Sequence, residues 1–303
     1  DYRFNKIDQH SLSISAFGPY ESDLSPDSTR INIGSVYASV FFKDTSGFHF
    51  EAGGRWNHHS LYGNNATFTL NPFYLINGKQ KIYVNISSAF NAPSLYQLFT
   101  PFYGNLSLQP EQALNYEAGA DLFFSSNFEF RITAFARKVK HVIAFTSKYV
   151  NFDKQNDKGG EIEFTYTPLS SLKLTGYYSY EAGQLTTQNS VTKSDTSYNN
   201  LFKRPKNSFG ISAGYQITPA LFVQLQSKYV GKRMDIFFND ITSAQEQLWL
   251  KGYNLLDFYA AYNWKQKITL FLNLKNITDA HYVETTGYAT RGFNFTTGLS
   301  FNL

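Results

Sequence analysis

Read backwards from Leu303, alternate positions are mostly apolar: Leu303, Phe301, Leu299, Thr297, Phe295 and Phe293. The residues between them are Asn302, Ser300, Gly298, Thr296, Asn294 and Gly292. A period of two marks a strand whose two faces meet different surroundings. The same alternation runs through KIYVNISSAF (81–90), LFVQLQSKYV (221–230) and ITLFLNLKNI (268–277). In a soluble sandwich the apolar face would be core; in a membrane barrel it would face lipid and the polar face would line the lumen. On the last strand the barrel reading puts Phe293, Phe295, Leu299 and Phe301 against lipid, with Asn294, Thr296 and Ser300 inside.

Short turn signals punctuate the alternation: KDTSG (43–47), ING (76–78), SSN (125–127), PLSS (168–171), TPA (218–220) and WKQK (264–267). The Asn-Gly pair in ING is a strong short-range hairpin signal. Longer polar segments separate these turns: 18–30, 58–65, the Pro-rich 91–112, 148–157, 183–200, a stretch near 236–249, and 279–290. The chain thus alternates between short turn, strand, long loop and strand. The pattern predicts about fourteen strands, the first over 7–17, one over 156–167 and the last over 290–303. Many are ten residues or longer, whereas strands of soluble domains cluster near five or six. Length and alternation predict an all-β fold, an antiparallel transmembrane β-barrel.

Composition sharpens this picture. The chain has 303 residues, 29 Phe and 22 Tyr, but one Met and no Cys. No run approaches the roughly 20 apolar residues of a membrane-crossing helix. Without Cys there is neither a disulfide framework nor a thiolate metal site. The net charge of +4 is mild, and KRPK (203–206), the densest basic run, reads as a loop end, so nucleic acid is not expected as a partner. Glu111 and Glu117 lack an accompanying nucleophile or base, and the histidines lack ligand spacing. No catalytic residue, metal site or cofactor is expected, and the protein is not read as an enzyme.

Residues 90–119 read FNAPSLYQLFTPFYGNLSLQPEQALNYEAG. Phe90, Ala92, Pro93, Leu95, Leu98, Gly104, Asn105, Leu108, Pro110, Glu111, Glu117 and Gly119 resemble the barrel signature of TonB-dependent outer-membrane receptors. Asn151 followed by GGEIEFTYTP (159–168), and LNLKNITDAHYVETTGYATRGFNFTTGLSFNL (272–303), resemble two further motifs of that family. The sequence departs at Asn91, where the family often has Arg, and at Leu303, where it usually has an aromatic residue. Within the family, GKRMD (231–235) and YVETTGYATRG (282–292) are similar to the vitamin B12 (cobalamin) receptors.

The resemblance implies that 1–303 is the C-terminal part of a barrel of twenty-two strands, without its plug domain and first strands. It implies a bacterial outer-membrane location, contact with outer-membrane lipid, and import energised by TonB–ExbB–ExbD through the plug and TonB box. The implied substrate is cobalamin or another corrinoid. The alternatives are a ferric siderophore or haem, and, in a different class, a complete smaller passive porin. For ligand contact the resemblance points to Arg233 and Tyr288, with Tyr103 and Asn105 in the signature loop. An Arg fork suits oxygen acceptors, and a Tyr offers a flat apolar face plus a hydroxyl.

Overall fold

The computed structural model describes residues 1–15, 18–27, 29–145, 148–188, 195–199, 201–239, 242 and 244–301. The terminal Asn302 and Leu303 of the expected last strand lie outside these. Fourteen strands pair in one antiparallel path. They are β1 (Tyr2–Lys6), β4 (Arg30–Lys43), β5 (Phe48–His59), β6 (Gly63–Ile76), β7 (Gln80–Asn91), β8 (Glu111–Ser125), β9 (Phe128–Phe145), β10 (Tyr149–Leu169), β11 (Leu172–Gln188), β13 (Asn207–Thr218), β14 (Leu221–Val230), β17 (Tyr253–Trp264), β18 (Ile268–Lys275) and β19 (Asn294–Phe301). Each pairs with the next in this order. β1 and β19 do not pair with each other among the described residues.

Short turns gather at one pole. At the ING turn, Asn77 and Gly78 have φ of +52° and +67°, the left-handed pair of a type I′ hairpin. Lys265 and Gln266, with φ of +49° and +60°, make a similar turn without glycine. Excursions gather at the other pole: the hairpin β2 (Gln9–Ser15)–β3 (Gly18–Leu24), the short helix α1 (Leu95–Phe99), β12 (Asp195–Tyr198), and the hairpin β15 (Arg233–Asn239)–β16 (Ala244–Leu250).

Several expected boundaries move. The strand expected over 7–17 is not a wall strand. The wall strand is β1, and 9–15 belongs to a hairpin above it. That hairpin exposes Leu12 and Ile14, so alternation alone does not distinguish it from wall. The segment near 236–249 likewise contains a hairpin. The polar stretch 148–157 is not a loop but the start of β10. The segment 58–65 shrinks to a turn, since β5 runs to His59 and β6 begins at Gly63 with φ +68°.

Directly paired residues share a face, so register carries the last strand's outer side around the sheet. Phe301, Leu299 and Phe295 face Ile268, Leu270 and Leu274. Ile268, Leu270 and Leu274 face Trp264, Tyr262 and Phe258. The same parity reaches Leu225, Ala213, Tyr178, Ile162, Ile132, Ala120, Ile82 and Val40. Asn294, Thr296 and Ser300 fall on the opposite side, as the alternation predicts. Many large side chains on the outer parity are exposed, and aromatic ones gather in two belts. Phe48, Tyr74, Tyr166, Tyr215, Tyr262 and Trp264 lie toward the turn pole; Trp56, Tyr116, Tyr178, Tyr180 and Phe209 lie toward the loop pole. An apolar band between aromatic girdles is the signature of a membrane-spanning β-wall.

Candidate functional site: the inner wall and the crown of loops

The inner parity carries polar and charged side chains. Arg131 Nε donates to Asp121 Oδ1 at 2.6 Å, and Arg131 lies 3.4 Å from Glu163. Toward the loop pole Arg137 pairs with the fully buried Asp157 carboxylate and lies 3.3 Å from Glu181; Arg204 reaches Glu181 at 2.8 Å. Carboxylates and guanidiniums from β8, β9, β10 and β11 therefore neutralise one another across the inner face. Tyr83 on β7 spans β8 to meet Thr133 on β9, with hydroxyl oxygens 2.9 Å apart. Gly119 beneath makes room: a Cβ there would lie 2.6 Å from the Tyr83 oxygen.

Below the crown is a cavity of about 550 Å³ lined by Arg3, Asn5, Arg55, Asn57, His59 and Asn65, among others. Arg55 Nε donates to Asn57 Oδ1 at 2.7 Å, and Asn57 Nδ2 donates to Asn65 Oδ1 at 2.9 Å. His59 Nδ1 accepts from Leu61 N at 3.1 Å, leaving the ring proton on Nε2. That Nε2 and Asn65 Nδ2 are buried without a hydrogen-bond partner among the described residues. Beside the apolar Ile31, Ile33, Phe90 and Pro93 the cavity presents these donors, a chemistry that suits a ligand with both apolar surface and oxygen acceptors.

At the crown, aromatic rings form a connected series. Tyr20 of β3 meets Phe102 (5.0 Å between centroids), Phe102 meets Tyr103, Tyr103 meets Phe145, Phe145 meets Tyr149, and Tyr149 meets Tyr96 of α1. Phe102 is 74% exposed, and Tyr20, Tyr96, Tyr103 and Phe145 are also exposed.

The signature residues hold this crown in place. Leu95, Leu98 and Leu108 are buried. Ser94 and Gln97 form a capping box at the start of α1. Glu111 accepts from Ile143 N and Asn91 Nδ2, each at 2.8 Å. Asn151 clasps Gln109 through both its N–H and its carbonyl, and also donates to His141 O. A Cβ on Gly104 would lie 2.7 Å from two backbone oxygens. These positions lock the loop 92–110 onto β9 and β10.

The four expected contact residues differ in what they present. Tyr103 is 48% exposed within the aromatic series, and Tyr288 is 74% exposed. Asn105 is half-buried and its amide is engaged: Nδ2 donates to Tyr149 O and Oδ1 accepts from Ser107 N, both at 2.9 Å. Arg233 is 3% exposed, with its guanidinium on Val283 O and over the Tyr253 ring. Two residues on, Asp235 accepts from Thr286 N at 2.8 Å, while Tyr253 donates to Glu284 at 2.8 Å. Arg233 is thus a fastening for the loop that carries Tyr288 and is not itself on the surface. In that loop, burial first and the charge of Glu284 second push the Tyr282 pKa up. Part of the aromatic series and Arg233 lie in the segments that carry the resemblance, whereas the cavity brings together residues of β1, β5 and β6 that carry no motif.

An antiparallel wall with an apolar exterior, a polar interior, short turns at one pole and a built crown at the other defines a receptor barrel of the outer membrane. The chain belongs to the TonB-dependent receptor family: the family's β-barrel model matches residues 1–277. It is 27% identical over 263 residues to the vitamin B12 transporter BtuB of Vibrio cholerae, covering 83% of this chain and 40% of that protein. It is 24% identical to the iron-regulated outer membrane virulence protein of the same species, covering 97% of this chain and 49% of that one. Among solved structures it superposes on the siderophore receptor PirA from Acinetobacter baumannii with a TM-score of 0.70 at 18% identity, covering 90% of this chain and 46% of PirA. The chain therefore spans less than half the length of these relatives.

Proposed function

We propose that these residues are the C-terminal wall and outer loops of an active importer whose plug domain and first strands precede them. In this reading the plug receives energy from TonB–ExbB–ExbD, and the wall does no covalent chemistry. The proposed substrate is cobalamin or another corrinoid. The observation that carries it is the exposed aromatic series above a donor-lined cavity. A corrinoid is broad, flat and rich in amide oxygens, so its face suits the rings and its rim suits the donors. Similarity to proteins named as vitamin B12 transporters supports the choice. Tyr103 and Tyr288 contact the ligand; Asn105 and Arg233 act by holding the loops that present them.

A ferric siderophore is the second reading, favoured by the similarity to an iron-regulated protein. Oxygen acceptors on a siderophore would satisfy the same donors. Titration of the full-length receptor with cyanocobalamin and with ferric enterobactin separates the two. Saturable cobalamin binding that the siderophore does not compete away is expected. Tight siderophore binding without measurable corrinoid affinity discards the substrate and leaves the transporter class standing.

A further inference from the structure

The outer face of the wall is not uniformly bulky. Across β8, β9 and β10 its outer positions include Ala118, Ala134, Ala136 and Gly160, which line an apolar groove of about 770 Å³ rimmed by Tyr116 and Tyr180. Small residues here leave a furrow among the larger Val84, Ile86, Ile132, Ile162 and Tyr178.

The groove runs upward into a cluster of lysines. Lys158, at its upper edge, lies opposite Ala136. Lys138 follows Ala136 on the same face, about 6.6 Å further along the strand at the usual rise per residue. Beyond it, Lys140 and Lys154 lie directly opposite each other. All four lysines are exposed. Like charges placed directly across a ladder repel and destabilise the pair unless something neutralises them. The protein does not neutralise these. No Asp or Glu of the described wall strands falls on the outer parity, and none of the four lysines makes an ion pair among the described residues. The inner face is the opposite case, where nearly every guanidinium meets a carboxylate.

We infer that this furrow is a specific binding site for one phosphate-bearing, acylated membrane lipid. Its acyl chain lies in the Ala118–Ala134–Gly160 groove, and its phosphate is held by Lys138, Lys140, Lys154 and Lys158. The position suits this occupant: the lysines stand beyond the upper aromatic belt, where headgroups lie, and the groove lies in the band that hydrocarbon covers. A lipid phosphate supplies the missing anion, and a flexible chain fills a furrow that the wall's own side chains leave open. A free phosphate would satisfy the lysines but give no reason for the groove. The site is separate from the crown and does not depend on what the receptor transports.

The test uses the full-length receptor in a mild detergent, titrated with dioleoylphosphatidylglycerol or dioleoylphosphatidylcholine and read by native mass spectrometry. Binding of the anionic lipid at least tenfold tighter than the zwitterionic one is expected. It should persist in millimolar inorganic phosphate, which would displace a headgroup-only contact. A variant with all four lysines changed to Gln should lose that preference. Ala134→Leu with Ala136→Leu, which fills the groove and leaves the lysines, should weaken binding several-fold. Both variants should keep heat-resistant barrel mobility, since every change lies on the outer surface. Equal affinity for the two lipids, displacement by inorganic phosphate, or less than a twofold loss in either variant overturns the site.

Discussion

The wall and the crown are built on different physics. The wall is a ladder: each strand pairs along most of its length with the next, and outer side chains need only be apolar. The crown hangs on individual atoms. Asn151 holds loop 92–110, Asn105 ties it to Tyr149, and Arg233 and Asp235 fasten the 279–290 segment. Damage to the wall should therefore depend on the face and depth of a residue. Damage to the crown should depend on which side-chain atom is lost, and should stay local.

The largest effect should come from charge on the outer wall. Leu225 lies on the outer parity between Ala213 and Phe258, away from both aromatic belts. Its neighbour Gln226 points inward beside Asp257. Leu225→Arg should destabilise the barrel by about 2–4 kcal/mol, the cost near the bilayer midplane. Gln226→Arg should be close to neutral. Leu299, next to Leu270 at the level of Tyr262, is nearer the interface, so Leu299→Arg should cost only about 0–1 kcal/mol. Urea-induced unfolding of the full-length receptor in vesicles measures all three. Equal losses at 225 and 226 would break the assignment of faces.

Next should come loss of a crown clasp. Asn151→Ala strips Gln109 N, Gln109 O and His141 O of their partner. Water can replace the two exposed bonds to Gln109, so the cost falls mainly on the part-buried His141 O, about 1–3 kcal/mol. The effect should appear as faster hydrogen exchange and protease cleavage within 92–110, with the unfolding midpoint of the barrel little changed. A global loss of stability with an unaltered loop would show that the clasp belongs to the wall.

The same division explains what could be read from the sequence. The outer face was legible because one parity rule governs every strand; β7, β14 and β18 follow it, and the Asn77-Gly78 turn announces its own geometry. The crown was not, because hairpins outside the membrane can use the same alternation. HSLSIS (10–15) alternates like a wall strand yet sits in β2, while the wall strand next to it in sequence is β1. The stretch 148–157 looks like a solvated loop because Asp157 is charged; its partners Arg137 and Arg204 lie 20 and 47 positions away, and only the folded sheet brings them together. Signature residues such as Glu111 and Leu108 identify the family, but their identity does not say that they fasten a loop. Arg233 is the sharpest case. A charged residue in a loop reads as exposed until Val283, fifty positions on, is found against it.

The smallest effect, and the finest test of the division, is at Arg233 and Tyr288. Tyr288 is exposed and bears no side-chain hydrogen bond among those described, so Tyr288→Ala should remove a ligand contact and leave its loop in place. A truncated contact of this kind costs on the order of 1–2 kcal/mol of binding, or roughly five- to thirtyfold in Kd. Arg233→Ala should weaken cobalamin binding to a similar extent by another route: it frees Val283 and with it the loop. The two are separable by structure-sensitive readouts. Hydrogen exchange across 279–290 should rise in Arg233→Ala and stay unchanged in Tyr288→Ala. Arg233→Lys keeps a cation over Tyr253 but cannot reproduce the guanidinium fork, so it should recover only part of the affinity. If Arg233→Ala weakens binding while exchange in the loop is unaltered, the guanidinium reaches the ligand directly, and the crown must open in a way that uncovers it. Because Tyr288 alone should leave the loop unmoved, combining it with Arg233→Ala should cost less than the sum of the two, since a freed loop no longer presents the ring.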